Sequence, residues 1–423
     1  MAESVDIAIV GAGAAGMTAG IFAKQASPNA RVVLLDGAKK PGAKILVAGG
    51  GRCNVTHHQV DHRDYNAASG GFVKSVLKSF TADDTVEWMK SLGVTLKREA
   101  TGKLFPTTDK ARTVLDALLG RLDQLGAELW TECRVTDVEH DGDGFHLTIN
   151  GERRLRAKRL ILSPGGRSLP KTGSDGGGYP LVKALGHTVT PTHPALVSIV
   201  LQQHWFHADV TGASHEAELT TLANGKPVDR RAGSLLWTHF GLSGPLVMDA
   251  SRHLLANKHA GRTVEWRLNL LPGERFETVE STLVRMAEKT PKLAVKRVLE
   301  QWSSGGASVR FDVPDRVLRA VFRWADVDGE QALAHLKRDD RRRLVHALID
   351  LPLPVEQERG WNHAEVTAGG VPLGEVSWKT MASKACDGLH LAGEILDLDG
   401  RIGGFNFQWA WATGRLAGRA AAG

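Results

Sequence analysis

Three side chains combine a reactive group with a neighbourhood that could use it. Arg52 is a permanent cation directly after three glycines, so it could polarise a carbonyl, stabilise an anionic cofactor or only bind a phosphate. Cys53 could donate a proton or only pack in the interior, as free cysteines often do. His239 has the side-chain type that exchanges protons near neutral pH, but it could equally be a structural hydrogen-bonding group. Arg52, Cys53 and His239 are the candidate catalytic residues.

The element best able to position such groups lies at the start of the chain. An apolar run of strand length at 5–10 leads into GAGAAG at 11–16, which opens a helical stretch, and a second strand then ends at Asp36. In a βαβ unit with this pattern the first glycine makes the turn, the second lets the backbone meet a pyrophosphate, and the third lets helix and strand pack closely. The helix N-terminus attracts the phosphates. Asp36 would accept the ribose hydroxyls and disfavour a 2′-phosphate, so the motif predicts a site for NAD or for the ADP half of FAD.

Two later segments favour FAD over NAD. The first is a short apolar strand followed by SPGG at 163–166. The second, GLHLAGE at 388–394, is typical of a strand that ends in an acid, and Gly404 then opens an apolar helix that finishes the chain. Glu394 or Asp397 could bind the ribityl hydroxyls of FAD. The positive end of the helix could face the pyrimidine edge of the flavin, where reduced flavin carries negative charge.

Several blocks of the chain resemble the BaiN-like flavoproteins: VDIAIVGAGAAG, PGAKILVAGGGRCNVTH, LWTHFGLSGP, VTAGGV with TMASK, and GLHLAGEILDLDGRIGGFNFQWAWATG. Members of that family are FAD-dependent oxidoreductases, and the resemblance extends from about residue 5 to 418. It implies that the strand beginning at Val135 passes near the adenine, and Phe405 stands where family members usually carry Tyr. The motifs and the resemblance together give the candidate cofactor-binding residues, which are Gly11, Gly13, Ala14, Ala15, Gly16, Asp36, Lys44, Gly50, Gly51, Arg52, Asn54, Thr56, Val135, Ser163, Gly165, Gly393, Glu394, Asp397, Gly403, Gly404, Phe405 and Asn406.

The local patterns and the resemblance predict an α/β fold. It would combine a Rossmann-like FAD-binding domain of the glutathione-reductase type with an inserted β-rich, barrel-like domain that carries a helical subdomain. The FAD-binding domain is expected at 1–190 and 365–423, the β-rich insert at 191–273 and 351–364, and the helical subdomain at 274–350. Residues 133–150 alternate in polarity and turn twice at Asp-Gly, which indicates a small β-meander. In the insert, short pieces such as HADVTG at 207–212 are expected as strands.

Composition sets further limits on function. The 423 residues carry a net charge of +6 with a pI near 9.2, which is compatible with anionic ligands or nucleic acid but also with ordinary charge balance. The three cysteines form no CxxC pair, which argues against a dithiol reductase and fits a reducing cytoplasm. A strand beginning near Val5 leaves no room for a signal peptide, no apolar run could span a membrane, and the histidines lack metal-ligand spacing. We therefore expect a cytoplasmic protein without a membrane partner or a metal.

The first predicted reaction is reduction of an activated C=C bond, enone-like or uracil-like, by hydride transfer from flavin N5. No second GxGxxG follows a strand, and SDGGGY at 174–179 lacks the spacing. NAD(P)H is therefore expected as a transient reductant that enters the flavin pocket in turn with the substrate; the alternative is a reductant that lies elsewhere. The family resembled includes steroid-type enone reductases, an aminoacetone-oxidising activity and rRNA dihydrouridine formation. The alternatives are therefore an FAD-dependent oxidase of a small amine or amino-ketone, and an RNA-binding flavoenzyme that forms dihydrouridine in rRNA.

The rRNA alternative depends on basic and aromatic residues of the predicted helical subdomain. Arginines at helical spacing could line one face of a helix, and aromatic rings between them could stack on bases. These residues are Arg316, Arg319, Arg323, Arg338, Arg341, Arg342 and Arg343, with Trp302, Phe322 and Trp324. Because Asp and Glu are mixed among them, a solvated helix face is the competing interpretation. The predicted partner is thus a small-molecule substrate or rRNA, and both a monomer and a homodimer fit the sequence.

Overall fold

The chain divides into two units, the second inserted within the first. A computed structural model describes residues 3–300 and 313–423. The first unit is Met1–Pro194 with Ala364–Gly423, and the second unit is Ala195–His363. The boundaries expected from the sequence, at 190 and 365, lie close to these, while a separate helical subdomain stays a prediction.

Short strands and helices alternate along most of the chain. The strands are β1 Glu3–Val10, β2 Val32–Leu35, β3 Thr56–His57, β4 Tyr65–Asn66, β5 Leu96–Arg98, β6 Lys103–Pro106, β7 Glu128–Trp130, β8 Val135–His140, β9 Phe145–Ile149, β10 Arg153–Leu162, β11 His193–Ala195, β12 Ile199–Leu201, β13 Ser214–Ala223, β14 Lys226–Thr238, β15 Gly241–Ser243, β16 Val264–Asn269, β17 Leu351–Leu353, β18 Val355–Glu358, β19 Val366–Ala368, β20 Leu389–Leu391 and β21 Asp399–Gly400. The helices are α1 Ala14–Ala26, α2 Ala43–Gly51, α3 Gly70–Ser79, α4 Ala82–Ser91, α5 Ala111–Gln124, α6 Gly178–Ala184, α7 Pro245–His259, α8 Phe276–Lys289, α9 Val295–Glu300, α10 Asp315–Ala325, α11 Arg338–Ile349 and α12 Phe405–Ala421.

A largely parallel sheet forms the centre of the first unit. Its strand order is β7-β2-β1-β10-β9-β8, and β20 pairs with β10. β1 runs parallel to β2 and to β10, and the last residues of β10 run parallel to β20. The first half of β10 instead pairs antiparallel with β9, which pairs with β8, and this confirms the β-meander predicted for 133–150. All of β2 and most of β1 are apolar and buried, as the central strands of a parallel sheet covered on both faces must be.

The C-terminal helix packs directly against the helix of the GAGAAG motif. A Cβ at Gly414 would lie 2.4 Å from the carbonyl oxygen of Ala15, and a Cβ at Gly418 would lie 2.2 Å from that of Ala19. The spacing of four residues places both glycines on one face of α12, where the absence of a side chain lets the two backbones meet. The predicted C-terminal helix is thus confirmed as α12, and this contact ties it to α1.

A curled antiparallel sheet forms the centre of the second unit. Its strand order is β17-β16-β13-β14-β15-β12-β18. The edge strands β17 and β18 are joined through the single residue Pro354, so the sheet must curl until its two edges approach each other. This is the β-rich, barrel-like architecture that the sequence predicts.

Helices α8 to α11 occupy the described part of the stretch expected to be helical, 274–350, whereas Trp302 lies outside the described residues. The strand expected at 207–212 is wrong. Most of that segment lies in a 3-10 turn, because the Thr211 and Ala213 amides bond back to the carbonyls of Ala208 and Val210.

Candidate cofactor site

Parallel strand ends meet at one edge of the first unit's sheet. β1 is followed by Gly11, β2 by Asp36, β10 by Ser163, and β20 by Ala392 and Gly393. The chain leaves β1 toward β2 on one side while β10 lies on the other, and the crevice at such a switch point is where open α/β sheets bind their ligands. Predicted cofactor-binding residues from distant parts of the sequence are therefore brought together here.

The structure gives a different physical reason for glycine at each of the three positions of the first motif. Gly11 has φ +95°, and a Cβ there would lie 2.5 Å from the carbonyl oxygen of Ser163. A Cβ at Gly16 would lie 1.9 Å from the Gly11 carbonyl oxygen, so the helix could not approach the turn. At Gly13, by contrast, a Cβ would meet no atom of the described chain within 4 Å. Packing thus explains the first and third glycines, while the second leaves an open approach to the first turn of α1, which Ala14 and Ala15 form.

Asp36 lies beside this turn with its carboxylate held in place. Its two oxygens accept hydrogen bonds from the Ala12 and Ala38 amides, both at 2.8 Å. Each oxygen keeps a lone pair with which to accept a ribose hydroxyl. Val135 is buried at the start of β8, and the amide of the nearby Cys133 donates to the Asp36 carbonyl at 2.8 Å. The strand predicted to pass the adenine therefore begins beside Asp36.

The glycine triplet breaks α2 and leaves a bare stretch of backbone. Gly49, Gly50 and Gly51 all have positive φ, and the helix kinks at Ala48–Gly50. Gly49 has φ +58°, and a Cβ there would lie 3.0 Å from the Asn54 amide nitrogen, so backbone angle and packing together favour glycine. A Cβ at Gly50 would have no described atom within 4 Å, and one at Gly51 would have its nearest neighbour at 3.8 Å. Gly50 and Gly51 leave this backbone accessible to a ligand.

The two candidate catalytic residues after the triplet have other partners. The Arg52 guanidinium donates to Glu99 at 2.6 Å and lies 4.0 Å from the centre of the Phe105 ring. Cys53 is fully buried, and burial raises the pKa of its thiol to about 12. An enclosed thiol that is so weak an acid favours packing over proton donation. Catalytic roles for Arg52 and Cys53 stay predictions that this geometry does not favour.

Asn54 indicates that the site is shaped for a polar ligand. Its Oδ1 is buried and accepts no hydrogen bond from any residue that the structure describes. A Cβ at Gly404 would lie 2.8 Å from this oxygen, so Asn54 faces the start of α12. Buried acceptors without a partner are rare, and a helix N-terminus offers amides that its own helix cannot satisfy. A flavin, whose pyrimidine edge carries both donors and acceptors, fits this set of groups.

Two other predicted ligands, Thr56 and Asn406, use their side chains within the protein. The Thr56 hydroxyl is fully buried and donates to Oε1 of Gln408 at 2.7 Å. Asn406 bonds the Gly400 amide at 2.8 Å and the Gly400 carbonyl at 2.9 Å. Any contact of these two residues with the cofactor would therefore come from the backbone.

Phe405 begins α12 and is enclosed by other rings. It stacks on His57 with ring centres 5.1 Å apart, and the Tyr65 hydroxyl donates to its carbonyl oxygen at 2.8 Å. Gly403, with φ +134°, admits the ring closely, since a Cβ there would lie 3.0 Å from the Phe405 ring. Phe405 therefore fixes the direction in which the chain enters α12.

Lys44 and Glu394 form the centre of a polar network. The Lys44 ammonium contacts Glu394 Oε2 at 2.5 Å and Ser168 Oγ at 2.6 Å. The other Glu394 oxygen accepts from Ser168 Oγ at 2.7 Å and from the Thr367 amide at 2.8 Å. Sequence reasoning missed Ser168 and Thr367, although the VTAGGV block contains the second. Asp397 lies three residues from Glu394 and accepts from the Thr190 hydroxyl at 3.0 Å.

Ser163 and Gly165 secure the turn that follows β10. The Ser163 hydroxyl contacts the carbonyl oxygens of Val10 and Gly11 at 3.1 and 3.2 Å. Gly165 has φ +80°, and a Cβ there would lie 2.8 Å from Ser174 Oγ. Ser163 therefore packs against the first glycine and Gly165 against Ser174, while cofactor binding by both residues stays a prediction.

His239 lies in the second unit, in the turn between β14 and β15. Its side chain is exposed, and its ring meets Phe240 edge-on at 5.1 Å. A catalytic role for His239 stays a prediction.

The helices proposed for RNA carry charges that are largely paired. Arg319 contacts Asp315 at 2.7 Å, Arg323 contacts Asp209 at 3.1 Å, and Arg343 contacts Asp340 at 3.0 Å. Phe322 is only 4% exposed, so the expectation that it stacks on a base is wrong, because its ring belongs to the core. Trp324 is exposed. The paired charges favour the solvated-face interpretation.

Two kinds of feature are absent from the described residues. No group of three or more His, Cys, Asp and Glu side chains there could hold a metal ion. In the same residues no helix has the length and apolar character needed to cross a bilayer.

The fold and the site define a dinucleotide-binding flavoenzyme of the oxidoreductase class. Residues 5–420 match the model for the HI0933-like protein Rossmann domain, and the chain belongs to that family. It is 33% identical over 98% of both chains to a 3-dehydro-bile acid delta(4,6)-reductase of Clostridium scindens. It is also 32% identical to the ribosomal RNA dihydrouridine synthase of Escherichia coli, over 97% of this chain and 96% of that one. A solved quinol-fumarate reductase with menaquinol shares the fold at 17% sequence identity and a TM-score of 0.50. The superposition covers all of this chain and 71% of the reductase chain. The predicted family, fold class and enzyme class are confirmed.

Proposed function

We propose that this protein reduces a C=C bond that is conjugated to a carbonyl group, using electrons held by its FAD. The observation that carries the proposal is the shared chemistry of two relatives that align with nearly the whole chain. A delta(4,6)-reductase of a 3-dehydro acid and a dihydrouridine synthase both add two hydrogen atoms across a double bond, and each such bond can be activated by a carbonyl. The substrate would therefore be enone-like or uracil-like.

Bound FAD would supply the hydride chemistry in this reaction. The residues of the chain would hold it. The open backbone at Gly13 and the first turn of α1 would take the diphosphate, and Asp36 the ribose. The Asn54 acceptor and the N-terminus of α12 would face the pyrimidine edge, where partial positive charge stabilises reduced flavin. His239 stays the predicted proton donor, since the Cys53 thiol is enclosed and its raised pKa makes it a weak acid.

NAD(P)H is the proposed reductant and would use the same pocket in turn with the substrate. The glycines before α6 follow a short 3-10 turn rather than a strand, so this segment is not a second dinucleotide-binding βαβ turn. The same observation is compatible with an oxidase, which needs no nicotinamide.

The similarity to the dihydrouridine synthase keeps rRNA as a second candidate substrate, although the paired arginines of α10 weaken the case for RNA binding by that helix.

Anaerobic mixing separates these possibilities. We expect NADH or NADPH to bleach the flavin, and a 3-keto-Δ4 steroid or a uridine-containing rRNA fragment to restore its colour with formation of the saturated product. Oxygen consumption with amines or amino-ketones, together with a flavin that both nicotinamides leave oxidised, would instead identify an oxidase and contradict the proposal.

A further inference from the structure

Two buried hydroxyl groups near the site have no hydrogen-bond partner among the residues that the structure describes. Ser174 Oγ and Tyr179 Oη are both inaccessible to solvent and form no hydrogen bond with the residues that the structure describes. Ser174 is 6% exposed and Tyr179 is 9% exposed. Buried polar groups are rarely left without a hydrogen bond, so each of these two hydroxyls calls for an explanation.

The segment that carries them packs against the turn after β10. The Gly176 amide donates to the Gly166 carbonyl at 2.9 Å, and a Cβ at Gly178 would lie 2.2 Å from the Pro164 ring. Ser174 Oγ lies against Gly165, since a Cβ at Gly165 would be 2.8 Å from this oxygen. The segment that carries both residues therefore lies at the edge of the sheet where the other candidate cofactor residues meet. The GGGY sequence, which fails as a dinucleotide-binding turn, still contributes to this site.

We propose that the Tyr179 hydroxyl binds the ribityl chain of FAD, with Ser174 as its neighbour in the same cofactor channel. This inference rests on the proposed use of FAD, and it adds a ligand that neither the motifs nor the family resemblance supplied.

Charge selects the ribityl chain over the diphosphate as the partner of Tyr179. Burial, and after it the negative charges of Glu394 and Asp397, raise the pKa of this phenol, so the group stays protonated and these carboxylates lie within electrostatic reach of it. A phosphate between the phenol and two carboxylates would be repelled. A ribityl hydroxyl can accept from the phenol and donate to a carboxylate at the same time, and it adds no charge. The observed donors to Glu394 leave lone pairs for such a bond.

The test compares the only two tyrosines of the chain. Tyr179→Phe removes an unpartnered hydroxyl and keeps the ring, so the stability of the apoprotein should stay the same or rise. Tyr65→Phe removes a hydroxyl that donates to the Phe405 carbonyl, so apoprotein stability should fall. We expect Y179F to weaken FAD binding about fivefold to tenfold, the equivalent of one neutral hydrogen bond, and to leave the affinity for ADP, which lacks the ribityl chain, unchanged.

Three results would overturn the inference. The FAD affinity of Y179F could equal that of the wild type. The apoprotein could lose stability while FAD affinity stays constant, which would make Tyr179 a core residue only. ADP and FAD affinities could fall by the same factor, which would assign the hydroxyl to the diphosphate. A wild-type protein that binds ADP but not FAD would contradict the proposed function, and this outcome is distinct from the other three.

Discussion

Two similar substitutions in the first motif should affect different properties, one the affinity for FAD and the other the stability of the apoprotein. Gly13 has extended backbone angles that alanine can adopt, and a Cβ there meets no described atom within 4 Å. Gly16 lies inside α1, and its Cβ would lie 1.9 Å from the Gly11 carbonyl oxygen. Gly13→Ala should therefore fold normally and bind FAD poorly, whereas Gly16→Ala should be unstable even without a cofactor.

The magnitudes follow from the contacts. In Gly13→Ala the gain of about 0.4–1 kcal/mol from a less flexible unfolded chain roughly cancels the poorer N-cap. The new methyl group would occupy the approach to the first-turn amides, and loss of one charge-assisted hydrogen bond, about 1.5–3 kcal/mol, weakens FAD binding roughly 10- to 150-fold. In Gly16→Ala the overlap forces α1 away from the turn, and overpacking of this kind costs about 2–3 kcal/mol.

Urea unfolding of the apoproteins and titration with FAD measure the two effects separately. Gly120→Ala is the matched control, because Gly120 lies within α5, away from the site, and its Cβ would have no described atom within 4 Å. This control should gain up to about 1 kcal/mol of stability and keep its FAD affinity. Wild-type FAD affinity in Gly13→Ala would refute the assignment of this glycine to the diphosphate, and an unfolded Gly13→Ala apoprotein would refute the reasoning about open space.

Three further predictions follow from individual side chains. Lys44→Met should destabilise the apoprotein by about 1–3 kcal/mol, because the Glu394 carboxylate loses its cation; a cycle with Glu394→Gln should show coupling, and additive effects would contradict the pairing. Cys53→Ala should keep its rate of flavin reduction, and the native thiol, whose pKa burial raises to about 12, should resist alkylation until the protein unfolds; lost turnover at normal flavin content would contradict this. Burial lowers the pKa of His390 to about 4, so between pH 6.5 and 4 the unfolded chain binds a proton at this residue that the folded chain does not. The free energy of unfolding should therefore fall by up to about 3 kcal/mol over this pH range. A His390→Gln variant that loses stability equally steeply would contradict the assignment of this loss to His390.

Features that depend on the local backbone could be predicted from the sequence. Gly11 has φ +95° in the turn between β1 and α1, and a Cβ at Gly16 would collide with the Gly11 carbonyl oxygen, so the motif could assign both roles from the geometry of the turn. The apolar runs that form β1 and β2 likewise reflect burial on both faces of a parallel sheet.

Features that depend on distant partners could not be predicted. From the sequence, Arg52 could polarise a carbonyl, stabilise an anionic cofactor or bind a phosphate, but the fold places Glu99 at 2.6 Å from its guanidinium. Phe322 occurs between arginines as a base-stacking ring would, yet burial decides its role. Tyr179 is the opposite case. Its sequence context does not indicate a cofactor-binding residue, and the proposed contact rests on its unsatisfied hydroxyl in the fold.

A single-turnover experiment tests the central claim most directly. The flavin is reduced chemically without oxygen, which removes any dependence on the identity of the natural reductant, and is then mixed with a 3-keto-Δ4 steroid or with a uridine-containing rRNA fragment. We predict that the flavin becomes oxidised as one equivalent of the saturated product forms, detected by the added mass of two hydrogen atoms. Reduced flavin that persists with both substrates, but is oxidised at once when oxygen is admitted, would contradict the account.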